Sequence, residues 1–340
     1  MKVKIGNITI GDGEKIAIQS MCNTKTTDIL GSIEQILQLE SYGCDIVRLS
    51  VPDMESAVAL KEIINGVHIP VVADIHFDYR LAIAACDSGV AKIRINPGNI
   101  GDEKKVQYVA DYLNERNIPI RIGVNGGSLE KQFKDLPLAE AMCKSALGHV
   151  ALLEKYNFYN TVISVKSSDV RTRVQAYRML KNACDYPLHV GVTEAGIYEK
   201  GLIKSAIGIG SLLLDGIGDT IRVSLSDEPY KEVLVAKEIL NSLDLGDPHV
   251  EVISCPTCAR TNIDVAGLAK MVVDATKDIK KSAKIAVMGC VVNGPGEAVK
   301  CDFGVAGGKD KSAIFINGQV VKTISNEFLI NELLDMIAKL

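Results

Sequence analysis

DIVRLSV at 45–51, PVVADIH at 70–76 and AKIRINP at 91–97 decide the fold. Each is a short run of β-branched and aliphatic residues, as expected of a strand buried on both faces. Each also gathers polar residues toward its end: Arg48 and Ser50, then Asp74 and His76, then Arg94 and Asn96. Between the first two runs, Met54 to Ile64 has apolar residues three and four apart, the periodicity of an amphipathic helix. Outward from this core the unit recurs. Further strand-like runs are Ile16 to Met21, Pro119 to Asn125, Thr161 to Lys166, Pro187 to Glu194 and Thr220 to Ser226. They alternate with helical segments such as Ser32 to Tyr42, Lys104 to Asn114, Leu138 to Tyr156, Val170 to Ala183 and Glu228 to Leu240. Eight such units over about 240 residues predict an α/β fold of the (β/α)8 TIM-barrel type. A doubly wound open sheet seldom supplies units so even in size. Ahead of them, Val3 to Ile5 and Ile8 to Ile10 read as a hairpin.

Beyond Leu240 the pattern changes. The polar, turn-rich stretch 241–248 reads as a linker between a barrel at 1–240 and a small α/β domain at 249–340. The latter should hold strands at His249 to Ser254, Lys284 to Met288 and Phe303 to Ala306. It should also hold a helix from Asp264 to Ile279, a hairpin around Asn317-Gly318, and a last helix from Asn326 to Leu340.

The chain has 340 residues, 47% apolar and 24% charged, with a net charge of −4, so neither nucleic acid nor membrane is an expected partner. No run approaches the roughly 18 apolar residues of a membrane helix, and the N-terminus resembles neither a signal nor a transit peptide; a cytoplasmic location is expected. Nine cysteines in such a chain point to thiols or metal ligands rather than disulfides. Cys22, Cys44, Cys86, Cys143 and Cys184 read as small buried apolar residues.

The other four lie in the second domain. SCPTCART at 254–261 and MGCVVNGPGE at 288–297 can bring Cys255, Cys258 and Cys290 together, and soft thiolates limit the guest to zinc, copper(I) or an iron–sulfur cluster. Three thiolates are one ligand short of a closed site. Cys301 and Glu297, which ends the turn after Cys290, are rival fourth ligands.

In the barrel, a lone strand arginine is as often a salt-bridged structural residue as a ligand contact. Cations at equivalent places on five strands, Arg48, Arg94, Arg121, Lys166 and Arg222, are another matter: partly buried and unpaired, they need an anion. SAIGIGS at 205–211 and LDGIGDT at 214–220 read as candidate phosphate-binding turns, although glycines there equally serve positive φ. NGGS at 125–128 is a further loop whose backbone can approach a ligand. Asp74 with His76, and His189 with Glu194, are candidate acid–base pairs.

These motifs, with VADIHFDYRLA at 72–82, KIRINPGNIG at 92–101, RIGVNGGSLE at 121–130, VISVKSSDV at 162–170 and HVGVTEAG at 189–196, closely resemble the bacterial 4-hydroxy-3-methylbut-2-enyl diphosphate synthases over essentially the whole chain. The resemblance implies the two-domain form of that iron–sulfur family. It implies a [4Fe-4S] cluster on Cys255, Cys258, Cys290 and an exchangeable Glu297, with Cys301 outside the ligand set. The implied reaction is reductive ring opening of 2-C-methyl-D-erythritol 2,4-cyclodiphosphate to the product in the family's name. Arg48, Arg94, Asn96, Arg121, Asn125, Lys166, Ser168, His189, Arg222 and Ser224 then hold the diphosphate, while Asp74, His76 and Glu194 are candidates for proton delivery. A head-to-tail homodimer follows from the same resemblance, and a flavodoxin or ferredoxin donor is expected. A cluster domain that closes a barrel has to open for substrate entry, which makes Asp244 to Pro248 a candidate hinge. The competing readings are a barrel enzyme of pterin or aldol chemistry with structural zinc on Cys255, Cys258, Cys290 and Cys301, and a non-enzymatic iron–sulfur carrier. The carrier has no need of the converging cations.

Overall fold

A computed structural model describes residues 1–96, 100, 102–133, 135–290, 296 and 298–340. The chain divides into two compact units, Met1–Leu245 and Gly246–Leu340.

The first unit opens with the antiparallel hairpin of β1 (Val3–Ile5) and β2 (Ile8–Ile10). Eight parallel strands follow: β3 (Ala17–Met21), β4 (Ile46–Ser50), β5 (Val71–Asp74), β6 (Lys92–Ile95), β7 (Ile120–Asn125), β8 (Thr161–Lys166), β9 (His189–Gly191) and β10 (Thr220–Arg222). Around them lie α1 (Ile29–Ser41), α2 (Met54–Asn65), α3 (Tyr79–Asp87), α4 (Glu103–Asn114), α5 (Leu138–Glu154), α6 (Val170–Ala183), α7 (Tyr198–Leu214) and α8 (Pro229–Asn241). The sheet order β8-β7-β6-β5-β4-β3-β10-β9 becomes a near-closed barrel through a parallel bridge between Ile163 and Leu188. The expected TIM-type barrel is therefore present.

Alternation along the strands sorts the side chains. One set, including Val47, Leu49, Ala73, Ile93, Ile122 and Val165, is buried against the helices and forms the main core. The other faces the barrel axis. Its lowest members, Ala17, Ile46, Val72 and Val162, pack on Val3, Ile5 and Ile10, so the N-terminal hairpin plugs the floor. Above that floor the inward positions are polar.

Aspartates start many of the helices that leave the strand ends. Asp28, Asp53, Asp78 and Asp169 each accept a backbone N–H from the first turn of α1, α2, α3 and α6. Such a cap contributes about 1 kcal/mol and lets short loops turn straight into helix.

The β8–β9 seam is thin, and a side chain mends it. Tyr177, on α6 and fully buried, accepts a hydrogen bond from Val165 N–H at 3.2 Å and donates one to the His189 carbonyl at 2.5 Å. Its hydroxyl occupies the place of a ladder bond between the two strands. Tyr177→Phe strands both backbone groups and is expected to cost about 2–4 kcal/mol. A lowered urea midpoint with an unchanged m-value checks it.

The second unit holds β11 (Val250–Ser254), α9 (Val265–Thr276), β12 (Ala283–Met288), β13 (Phe303–Ala306), β14 (Lys311–Ile316), β15 (Gln319–Ser325) and α10 (Leu329–Ile337). β11, β12 and β13 are parallel, and β13, β14 and β15 antiparallel. The β14–β15 turn is Asn317-Gly318, both at positive φ as a tight hairpin requires. Val265, Leu268 and Val272 of α9 join Leu329, Leu333 and Ile337 of α10 in one core on the sheet. A smaller cluster gathers Ala286, Met288, Ala306 and Phe315 with Ala298 and Cys301.

Candidate active site

In the first unit the inward residues above the floor form a cationic interior. Arg48, Lys92, Arg94, Arg121 and Lys166 are all buried, and Arg222 is nearly so. Two carboxylates answer them. Asp74 Oδ1 lies 3.0 Å from Arg94 Nη1, and Oδ2 lies 3.6 Å from both Arg48 Nε and His76 Nε2. Glu232 Oε2 lies 3.7 Å from Arg222 Nη2 and accepts from Ser20 Oγ at 3.2 Å, while Oε1 accepts from Leu225 N–H at 3.0 Å.

Burial alone would push the Asp74 carboxyl up, but Arg48, the His76 hydrogen bond, Arg94 and Arg121 outweigh it and hold the group below the usual carboxylate range. Burial pulls Arg48 down to about 9, which leaves it charged at neutral pH. Because the folded Asp74 pKa is depressed, its stabilisation is present above the unfolded value of about 3.9 and is lost as pH falls through the lower folded value. Asp74→Asn is expected to cost about 3–5 kcal/mol, with the same deficit at pH about 7 and about 4 when urea midpoints are compared.

The other cations are less well matched. Arg121 is 1% exposed, and among the described residues none of its three guanidinium nitrogens has a hydrogen-bond acceptor. Burial, then Arg48 and Arg94, push its pKa well down. Lys166 is lowered likewise by burial and then by Arg121, Arg48, Arg222 and Arg94. His189 is fully buried: its Nδ1 lies 2.7 Å from Thr220 Oγ1, its Nε2 has no partner, and burial with the neighbouring cations keeps it neutral. Arg94 has room because position 123 is glycine; a Cβ there would fall 2.6 Å from Arg94 Nε.

The remaining expected residues are spread around this interior. Asn96 is buried beyond β6, and Ser224 is half-buried beyond β10. Asn125 and Ser168 are exposed at the ends of β7 and β8. His76 is half-exposed above Asp74. Glu194 is exposed with φ of 53°, and the expected pairing with His189 is not made, since that ring bonds Thr220 instead.

Both candidate phosphate turns are corrected. SAIGIGS at 205–211 lies inside α7, where Gly208 gives passage to the Arg173 guanidinium: a Cβ on it would fall 1.9 Å from Nη2. LDGIGDT leads into β10 from its N-terminal end, away from the end that carries Arg222, and Gly216 and Gly218 serve φ of 68° and 130°. Sequence reading passed over Gln19, Lys92, Tyr177 and Glu232. Lys92 had a usable signal, since it precedes Arg94 by two residues on one strand and so shares its face.

In the second unit, parallel pairing of Ser254 with Val287 sets the ends of β11 and β12 side by side. Cys255 follows one and Gly289-Cys290 the other, and Cys255 Sγ accepts the Gly289 N–H at 3.1 Å. The Cys258 loop folds back onto the same place: Cys258 N–H donates to Thr261 Oγ1 at 3.0 Å, and Asn262 N–H to the Gly289 carbonyl at 2.9 Å. Cys258 is exposed, Cys255 half-buried and Cys290 buried. Among the described residues no three His, Cys, Asp or Glu side chains converge closely enough to hold a metal ion, and Glu297 lies outside those residues. Cys301 is 2% exposed, and burial pushes its thiol pKa up. Of the other cysteines, Cys22, Cys44, Cys86 and Cys143 are buried and Cys184 is partly so. No helix among the described residues is long and apolar enough to cross a membrane.

Comparison with known proteins follows this division. Residues 1–237 match the GcpE TIM-barrel domain and residues 251–339 the GcpE protein C-terminal domain. A protein of Caldanaerobacter subterraneus subsp. tengcongensis is 54% identical over 100% of this chain and 96% of its own length. One of Fusobacterium nucleatum is 51% identical over 99% and 96%. Both are named 4-hydroxy-3-methylbut-2-en-1-yl diphosphate synthase (flavodoxin). Among solved structures, dihydropteroate synthase from Stenotrophomonas maltophilia matches with a TM-score of 0.55 at 13% identity, over 72% of this chain and 98% of that one. The Yersinia pestis enzyme gives 0.54 at 11%, again over 72% and 98%. Likeness at that identity speaks to the barrel fold alone.

Proposed function

This chain belongs to the GcpE family, and from that premise we propose how its residues serve the family's reaction. It is an oxidoreductase that converts 2-C-methyl-D-erythritol 2,4-cyclodiphosphate to 4-hydroxy-3-methylbut-2-enyl diphosphate, with ring opening and loss of water.

The observation that carries the residue assignment is the unanswered charge of the barrel interior, above all the Arg121 guanidinium with no acceptor at any nitrogen. A diphosphate offers several anionic oxygens to such donors from different directions, and charge-assisted bonds of that kind are the strong ones. Arg48, Arg94, Arg121, Lys166 and Arg222 carry the charge. Asn96, Asn125, Ser168, His189 and Ser224 direct the remaining oxygens. His189 is neutral, so its free Nε2 acts as a hydrogen-bonding group rather than a counter-charge. Asp74 keeps Arg94 and Arg48 aimed, and His76, half-exposed above it, and Glu194 are the proposed residues for proton delivery.

Soft thiols at adjacent strand ends, with a backbone N–H already directed at Cys255 Sγ, suit an iron–sulfur cluster. Cys255, Cys258 and Cys290, with Glu297 as the fourth and weaker ligand, would hold it. Once bound, such a cluster supplies electrons together with a Lewis-acidic iron. Flavodoxin, which the relatives' names carry, is the proposed electron donor, with ferredoxin as the alternative. The working assembly is a head-to-tail homodimer in the cytoplasm.

The test is anaerobic. Protein with about four irons per chain that turns over the cyclodiphosphate only with reduced flavodoxin or ferredoxin supports the reading. Stoichiometric zinc without iron, and no turnover with either donor, would sink it in favour of a barrel enzyme with a structural metal.

A further inference from the structure

Lys92 is a fully buried cation to which the reading above gives no role. It starts β6, is 0% exposed, and stands above the apolar floor of Ala17, Ile46 and Val72. Among the described residues its one hydrogen bond goes to Gln19 Oε1 at 3.3 Å and no carboxylate pairs with it. Gln19 is itself 1% exposed, and its Nε2 has no acceptor. The groups around this floor repeat the pattern: Arg121 on β7 has three nitrogens without acceptors, and His189 on β9 has a free Nε2. Most of these unsatisfied atoms are donors, and Arg121 stands in register with Arg94, the next inward residue along β6 from Lys92.

A buried lysine has three ways to be tolerable: a carboxylate beside it, loss of its proton, or a counterion that arrives from outside. The first is missing here. The charged and titratable groups facing the same interior are Arg48 on β4, Asp74 on β5, Arg94 on β6, Arg121 on β7, Lys166 on β8, His189 on β9, Arg222 on β10 and Glu232 on α8. Both anions are already engaged, Asp74 by Arg48 and Arg94, and Glu232 by Arg222 and Ser20. Burial, then Arg121 and Arg48, hold the Lys92 pKa well below that of a free lysine, which favours the second way until an anion arrives.

We propose that Lys92, held by Gln19, is a further binding residue for the diphosphate, and that its proton arrives with the ligand. One proton passes from solvent to Lys92 Nζ as the anion enters, and no other bond is made or broken. Gln19 orients the amine through its carbonyl and turns its free amide N–H₂ to the same oxygen-rich guest. Because the bound anion raises the pKa of Nζ, protons are taken up on binding, and affinity falls as pH rises through the value in the complex. This rests on the diphosphate reading of the barrel given above.

The test is isothermal titration calorimetry of the cluster-loaded, oxidised protein with the cyclodiphosphate. It is run anaerobically in two phosphate-free buffers of different ionisation enthalpy, at pH about 8 and about 9, where a free lysine is fully protonated. With no reductant present, the heat reports binding alone. Wild type should take up protons, and Lys92→Met should take up about one fewer and bind about 10- to 100-fold more weakly. Lys166→Met is the companion that separates the two lysines. Should Lys92→Met fail to fold, Gln19→Glu gives the same reading: a carboxylate beside Nζ charges Lys92 in the empty barrel, so uptake on binding drops. Uptake unchanged in Lys92→Met, or in Gln19→Glu where that stands in for it, overturns the Lys92 assignment while leaving the diphosphate site intact. No binding heat with wild type overturns both.

Discussion

Arg121→Met should yield a protein that resists urea better than wild type and holds the cyclodiphosphate about 100- to 1,000-fold more weakly. The two effects have one cause. Arg121 is 1% exposed, and among the described residues none of its guanidinium nitrogens meets an acceptor, so folding alone leaves an uncompensated desolvation penalty. Methionine spans a similar length without a charge, and removing a buried ion in favour of an apolar side chain is worth about 1–4 kcal/mol in comparable cases. With ligand present the balance reverses, because a fork of donors to phosphate oxygens is lost. Arg121→Lys separates charge from shape: it should recover part of the affinity and little of the stability gain. A coupled fall in both stability and affinity in Arg121→Met would instead mean that the guanidinium has a structural partner in solution.

That opposition between stability and binding also shows what a sequence can disclose. The barrel was legible because its strands are short apolar runs with a fixed side-chain period, and because inward polar residues recur at their C-terminal ends. Arg48, Arg94 and Lys166 were legible for the same reason, and Arg121, second residue of β7, only as the inward cation of its strand. Lys92 obeys the same period but sits at the start of β6, where attention to strand ends misses it. Glu232 was out of reach: it belongs to a helix, and its bond to Ser20 spans 212 residues. The glycines of 205–211 misled because turn chemistry and close packing use the same residue. Gly208 is there for the Arg173 side chain, a contact between helices that no local pattern announces. Tyr177 was hidden likewise, as an aromatic on a helix whose hydroxyl completes a seam between strands.

Serine at Cys255, Cys258 or Cys290 is expected to leave the protein almost without iron and without turnover, while Cys301→Ala keeps both. Four cysteines lie within reach by sequence, and the place of each thiol in the fold separates them. Cys255 and Cys290 follow neighbouring parallel strands, and the Cys258 loop is tied to Gly289 through Asn262. Cys301 packs instead among Ala286, Met288, Ala298, Ala306 and Phe315, an apolar setting in which burial favours the protonated thiol over the thiolate a metal requires. Its replacement by alanine removes one buried sulfur at a cost of about 1 kcal/mol and touches no ligand. Anaerobic iron and sulfide analysis of the four variants, read beside their thermal melts, distinguishes the cases. Iron lost in Cys301→Ala with the fold intact would make the site a closed four-thiolate one, and would remove the open coordination position that the chemistry of Glu297 is proposed to provide.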